Sequence, residues 1–226
     1  MDGILVNDKP QGFTSHDVVD FIRNRFSLKK VGHAGTLDPM ATGVLVILIG
    51  AYTKSSNALI SDEKEYEATL ALGARSDTGD AWGKLSPSNG DHEDFTEEEI
   101  RNVFEKFLGE IEQVPPMYSS VKVKGRKLYE LARKGMSVSV APRKIIIKNI
   151  TIERISPPEV QFKLTCSKGT YVRQLCVDIG EILGCGAYLS QLKRTRSGRF
   201  RITDAIGIDE LKKYGRTDLE KRLYRF

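Results

Sequence analysis

At 226 residues, with 40% hydrophobic and 29% charged side chains, the chain has the makeup of one large or two small globular domains with an ordinary core. Its longest apolar run, Val44 to Ile49, falls far short of the roughly 20 residues of a membrane span, and MDGILVNDKP lacks the regions of a secretory signal. No membrane association and a cytoplasmic location are therefore expected. The widely spaced Cys166, Cys176 and Cys185 give no disulfide framework. The scattered His16, His33 and His92 lack metal-ligand spacing, so no metal is expected.

The formal charge of +5 is unevenly distributed. Ser61 to Glu112 holds 15 acidic and 5 basic residues, whereas Met117 to Lys148 holds 9 basic residues against Glu130 alone. Lys193, Arg194, Arg196, Arg199 and Arg201 form a second basic run without acids, and Lys212 to Phe226 adds six basic residues against two acidic. Three such runs are the electrostatic footprint of a polyanion binder. A solvated basic surface with no specific partner is the alternative.

In chain order, Ile4 to Asn7 is a short strand ended by Asp8-Lys9-Pro10. Thr14 with Asp17 forms a capping box opening a helix whose Val18, Val19, Ile22 and Phe26 share a face. Gly32 to Gly43 (GHAGTLDPMATG) is an irregular loop, since Gly and Pro at this density impose special dihedrals. Val44 to Ile49 follows as a strand buried on both faces. Tyr66 to Leu72 alternates as a half-buried strand, and Asp77 to Gly83 is a loop. Thr96 and Glu99 cap a helix carrying Ile100, Val103, Phe104, Phe107 and Leu108 inward and stopped by Gly109. The basic segment is expected as strand, short helix at Lys127 to Lys134, and strand before Pro142. Lys144–Ile155 and Glu159–Cys166 form an antiparallel pair. A helix after Gly169-Thr170 buries Val172, Leu175, Cys176, Ile179, Ile182 and Leu183, and Tyr188 to Phe200 is one further strand. The sum is an α+β fold with a mainly antiparallel central sheet flanked by helices.

No Gly-Lys-Ser/Thr follows the glycines of the loop, so it is no Walker phosphate loop, and a strand follows where a dinucleotide fingerprint needs a helix. Ser15 and His16 lack a nucleophile elbow. Asp38, the loop's only carboxylate, stands before Pro39, a setting more common for a turn residue than for a catalytic one.

Taken together, NDKPQGFTS, GHAGTLDPMATG, KEYEA and KGTYVRQL closely resemble the TruB family of tRNA pseudouridine synthases, over Gly3 to about Phe200. The resemblance implies the pseudouridine synthase fold, with residues 1–210 as catalytic domain, a thumb-like RNA-gripping insertion at about 117–148, and 211–226 as a basic tail. Bacterial members commonly continue into a PUA-type domain, which is expected here to be absent or truncated. The resemblance also implies roles for individual residues. Asp38 matches the essential catalytic aspartate, Tyr66 the tyrosine that stacks on the target base, and Arg173 the arginine that pairs with the aspartate. Tyr171 and Leu192 match residues lining the base pocket. His33 matches an RNA contact where the base leaves its stack, Lys9 and Pro10 buttress the pocket, and Asp80 lies in a substrate-facing loop.

The implied reaction isomerises the T-loop uridine conventionally numbered 55. It is redox-neutral, so no cofactor is expected. The implied partner is the T-stem-loop of tRNA, with no required protein partner and a monomeric state. A guide-dependent pseudouridine synthase subunit and an RNA-folding factor with secondary catalysis are the alternatives.

Overall fold

The computed structural model describes residues 1–55, 63–88, 95–123 and 125–225. His92, Lys124, Phe226 and part of the acidic run lie outside the described residues. The elements are β1 (Gly3–Lys9), α1 (Ser15–Arg25), β2 (Val31–Ala34), β3 (Thr42–Ile49), β4 (Lys64–Leu72), β5 (Ala74–Ser76) and β6 (Leu85–Pro87). There follow α2 (Glu97–Glu105), β7 (Gly109–Gln113), β8 (Lys122–Val123), β9 (Arg126–Lys127), α3 (Leu128–Ala132), β10 (Arg143–Ser156) and β11 (Glu159–Cys166). The chain closes with α4 (Val172–Leu183), β12 (Ala187–Ser197), β13 (Phe200–Arg201), β14 (Ile206–Gly207), α5 (Ile208–Leu211) and α6 (Arg216–Lys221). They fall into two compact units, Met1–Glu67 with Leu192–Phe226, and Ala68–Gln191.

The first unit is organised by β3, a run of apolar residues with nothing to alternate and hence a strand for a doubly covered position. Val44 to Ile49 are all buried. At roughly 1.5–3 kcal/mol for each large aliphatic side chain, this strand is a main source of the unit's stability. Along one edge it pairs antiparallel with β1, from Gly3↔Ile49 to Lys9↔Gly43. Its other edge is shared: β2 pairs with Ile49 to Val46, and the end of β12 runs parallel beside Thr42 and Gly43. β14 lies parallel to β1. Ile4, Val6, Ala34, Val44, Val46, Leu48 and Phe200 pack into one cluster. The predicted capping box of α1 forms: Thr14 Oγ1 accepts from the Asp17 amide, and Asp17 Oδ2 accepts from the Thr14 amide.

In the second unit β7, β10 and β11 make an antiparallel array, with Arg143↔Gln113 and Ser156↔Glu159 marking its two registers. Phe104 of α2 meets Phe162 of β11 edge-to-face at 5.2 Å. α4 ends at Gly184, whose φ of +81° turns the chain back so that the Gly186 amide donates to the Gly180 carbonyl at 3.0 Å.

Several expectations shift. The irregular loop is shorter than its glycines imply, because Gly32 to Ala34 belong to β2 and Thr42 and Gly43 to β3. The β4 strand alternates only at its start, then Ala68 to Leu72 are buried on both faces. Leu108 and Ile182 are 45% and 49% exposed, because α2 ends at Glu105 and the last turn of α4 is uncovered on that side. The stretch before Pro142 forms no strand. Tyr188 to Phe200 is not one strand but a hairpin, broken at Gly198 between β12 and β13. The β5–β6 hairpin was not anticipated.

Candidate active site

Six of the nine residues singled out by resemblance (Lys9, Pro10, His33, Asp38, Tyr66 and Leu192) belong to the first unit, and three (Asp80, Tyr171 and Arg173) to the second.

In the first unit the irregular backbone from Gly35 to Ala41 carries a half-buried Asp38 at its centre. Asp38 O accepts the Ala41 amide at 3.0 Å, closing the turn that Pro39 favours. Side chains distant in sequence hold this loop by its backbone. Ser15 grips Leu37 on both sides, its Oγ accepting from the Leu37 amide (2.8 Å) and donating to the Leu37 carbonyl (3.1 Å). Lys9, 0% exposed, donates from Nζ to the carbonyls of Phe13 (2.6 Å), Pro10 (2.9 Å) and Pro39 (3.3 Å). Arg194, 1% exposed, donates to Val44 O (2.7 Å), Gly35 O (3.0 Å) and Thr36 O (3.3 Å). Both residues flanking Asp38, and the start of the loop, are thus fixed by buried donors.

Two buried cations so close together impose an electrostatic signature. Burial pushes Lys9 down to about 8, Asp38 opposes that shift, and Arg194 adds to it. Burial, followed by the charge of Arg194, holds His33 below its ordinary value, so the imidazole on β2 is neutral at pH 7. The guanidinium of Arg194 is met by three neutral carbonyls and by no carboxylate among the described residues. Its full charge therefore acts on the loop.

Gly43 has φ of +97°, and a Cβ there would stand 2.3 Å from the Arg194 carbonyl oxygen. The close approach this glycine permits is to β12. Leu192 sits on β12 just before that contact, its carbonyl facing Thr42 Oγ1 at 3.5 Å. Tyr66 is placed by alternation on β4. Arg196 binds Glu63 (2.6 Å) and Glu65 (2.7 Å) on one side of the strand, and the intervening Lys64 and Tyr66 are buried on the other.

In the second unit Asp80 and Arg173 come together. Arg173, 3% exposed, donates to Thr78 O (2.8 Å) and Tyr118 O (3.0 Å), and its Nε lies 3.6 Å from Asp80 Oδ2. Asp80 Oδ1 accepts in turn from Thr78 Oγ1 (2.9 Å) and the Trp82 amide (3.0 Å). Tyr171, two residues ahead of Arg173, sits at the helix entry without a side-chain cap. Instead the Gln113 amide clamps its backbone, accepting at 2.8 Å and donating at 3.1 Å.

Sequence reasoning missed Ser15, Gln113 and Arg194. Ser15 was weighed only as a nucleophile and Arg194 only as part of a basic run. Their partners lie 22, 58 and about 150 residues away, beyond any local pattern. The basic insertion does present its charge outward: Lys122, Arg126, Arg133, Lys134 and Arg143 are exposed.

A firmly held glycine-containing loop bearing one carboxylate, beside a neutral histidine and buried cations, describes a site for acid–base or nucleophilic chemistry on a polar substrate. Comparison with known proteins narrows the class. The structure is similar to a chain in the crystal structure of a Cbf5-Nop10-Gar1 complex (35% identity, TM-score 0.74), covering 94% of this chain and 54% of that one. It is also similar to a chain in an H/ACA RNP bound to a substrate RNA containing 2′-deoxyuridine (31% identity, TM-score 0.71), covering 99% and 56%. The chain thus spans a little over half the length of these neighbours.

In sequence, the profile of the TruB family pseudouridylate synthase N-terminal domain matches residues 23–172, and that of the tRNA pseudouridylate synthase B C-terminal domain matches 173–226. Similar relatives are the tRNA pseudouridine synthase B of Opitutus terrae (46% identity, 99% of this chain and 92% of the relative) and that of Clostridium tetani (48%, 93% and 73%). The chain belongs to the TruB family of pseudouridylate synthases. Its mixed sheet with flanking helices is the α+β fold expected from sequence.

Proposed function

We propose that this chain is a stand-alone tRNA pseudouridine synthase that isomerises the T-loop uridine conventionally numbered 55, with Asp38 as the catalytic carboxylate. The reaction breaks the N1–C1′ bond, turns the detached base and joins C5 to C1′; the C5 proton leaves to solvent and N1 takes one up, and no electron is gained or lost. A carboxylate anion serves it as nucleophile or as charge stabiliser at the sugar–base junction. The observation that carries the reading is the loop around Asp38. Ser15, Lys9 and Arg194 hold its backbone on either side of that residue, the preorganisation that positions a reacting group.

The other roles follow from the chemistry. The uridine must leave its stack, at a few kcal/mol. Tyr66 returns about 1–3 kcal/mol by stacking on it. Arg173 pairs with Asp38 in the working enzyme. Tyr171 and Leu192 line the base pocket, Lys9 and Pro10 buttress it, and His33, Asp80 and the exposed cations of the insertion contact the RNA. Relatives that share nearly half of this chain's residues carry the name tRNA pseudouridine synthase B, which favours tRNA over a guide-directed substrate.

Incubating the protein alone with a T-stem-loop RNA carrying C5-tritiated uridine tests the proposal. Tritium release is expected from the wild type and none above background from Asp38→Asn, with RNA binding retained. Release that depends on an added guide RNA or partner protein would refute the stand-alone reading, and an active Asp38→Asn would refute the catalytic assignment. Tyr66→Ala is expected to slow turnover far more than Tyr66→Phe; equal defects would argue against stacking.

A further inference from the structure

The chain contains a single tryptophan, Trp82, and 54% of it is exposed. One exposed aromatic is ordinary on a protein surface and carries no meaning by itself. What sets Trp82 apart is the turn beneath it. The amides of Ala81, Trp82 and Gly83 are each bonded, to Leu189 O (2.9 Å), Asp80 Oδ1 (3.0 Å) and Asp80 O (3.2 Å). Ser76 Oγ donates to the Asp80 carbonyl at 2.6 Å, and the Leu189 amide donates to Gly79 O at 3.0 Å. A Cβ on Gly83 would lie 2.3–2.4 Å from Ser76 Oγ, Thr78 Oγ1 and Asp77 Oδ1, so the backbone folds tightly over those three side chains. A segment so thoroughly fixed has little freedom to bury its indole. Trp82 makes no ring or cation contact among the described residues.

The same network leads to the basic insertion within this unit. Asp80 Oδ1 accepts from the Trp82 amide, Asp80 Oδ2 faces Arg173, and Arg173 donates to the carbonyl of Tyr118, where the insertion begins. The exposed Lys122, Arg126, Arg133 and Lys134 follow within sixteen residues of Tyr118. A rigid, uncovered indole tied to a run of solvated cations matches what single-stranded nucleic acid offers, a π-face on each base and a phosphate between bases.

We infer that Trp82 is a stacking platform for an unpaired nucleobase of the RNA substrate, other than the base that is isomerised. The inference rests on the proposed tRNA activity and extends it to a specific contact. Because every base has a π-face, the contact adds affinity and geometry with little discrimination among bases.

The sole tryptophan makes the test direct. The full chain is titrated with an unlabelled T-stem-loop RNA while its intrinsic fluorescence is followed, binding being checked independently by filter retention. Quenching that saturates with binding is expected. Trp82→Ala is expected to raise Kd and KM about 5- to 150-fold with kcat within about twofold of wild type, and Trp82→Phe to recover most of the loss. Unchanged emission at saturating RNA, or an unchanged KM in Trp82→Ala, would overturn the inference. A self-association of the free protein that disappears in Trp82→Ala would also overturn it, assigning the indole to a second copy. Quenching without pseudouridine formation would retire the proposed activity and leave the stacking contact standing. Turnover without quenching would do the reverse.

Discussion

Replacing Arg194 is the sharpest test of how the Asp38 loop is held. The side chain is 1% exposed and its guanidinium donates to the carbonyls of Val44, Gly35 and Thr36. Arg194→Met keeps much of the stem volume and removes every donor, leaving three carbonyls without this partner. At about 1–3 kcal/mol for each stranded buried group, the ceiling is about 3–9 kcal/mol. Relaxation and water entry bring the expected loss to about 3–5 kcal/mol, a large share of the 5–15 kcal/mol typical of a folded domain. Arg194→Lys retains the charge, but one ammonium cannot reproduce a fork that spans three acceptors, so about half that loss is expected.

Urea denaturation of wild type and both variants gives the stability terms. The tritium-release assay below the transition gives kcat, expected to fall about a hundredfold if Asp38 moves by about 1 Å. A third readout separates charge from packing. The Arg194 charge is one cause of the depressed His33 value, so the His33 titration observed by NMR should move up in Arg194→Met and stay near wild type in Arg194→Lys. An unfolding free energy within about 0.5 kcal/mol of wild type for Arg194→Met, the scatter of ordinary surface substitutions, would refute the reasoning.

Two further outcomes concern residues around that loop. Gly43→Ala combines a φ of +97° with a Cβ 2.3 Å from a backbone oxygen, so a loss above about 3 kcal/mol is expected. Gly12→Ala, at φ of +90° with open space around it, should cost only about 1–2 kcal/mol, and equal denaturation midpoints for the two variants would contradict this. Lys9 supplies a pH dependence. Its folded value of about 8 lies below the ordinary 10.5, so between those values the unfolded chain binds more protons and stability rises with pH. Below pH 8 the whole penalty of a buried ammonium is present. The stability of wild type relative to Lys9→Met should therefore grow from pH 8 to pH 10, by up to about 1.4 kcal/mol per pH unit; a flat difference would show that Lys9 keeps its ordinary value.

Much of the fold could be read from local chemistry, and the particular failures show where that stops. The Thr14–Asp17 and Thr96–Glu99 boxes set helix starts because every participating atom lies within four residues. β3 was legible because six consecutive apolar side chains leave no solvent face. Helix ends were less so: Leu108 and Ile182 keep helical spacing but have nothing packed over them, and only the tertiary arrangement decides that. Asp38, Tyr66 and Arg173 are proposed from motifs, whereas Ser15 and Arg194, which grip Asp38's loop, carry no local pattern that marks them.

The basic runs illustrate the reason. A sequence counts charges without showing what each one faces. Arg194 and Arg196 were summed with Lys193, Arg199 and Arg201 as one cationic surface, yet Arg194 is buried among carbonyls and Arg196 is taken up by Glu63 and Glu65. In the insertion the cations do face solvent, although Lys127 and Arg133 lie over the ring of Tyr129 at 5.4 and 5.5 Å. The polyanion footprint therefore belongs chiefly to the insertion and the tail, while part of the β12 run serves structure. This division makes a net-charge argument testable by position. Neutralising Lys122 and Arg126 should flatten the salt dependence of RNA binding and spare folding, whereas neutralising Arg194 should damage folding first.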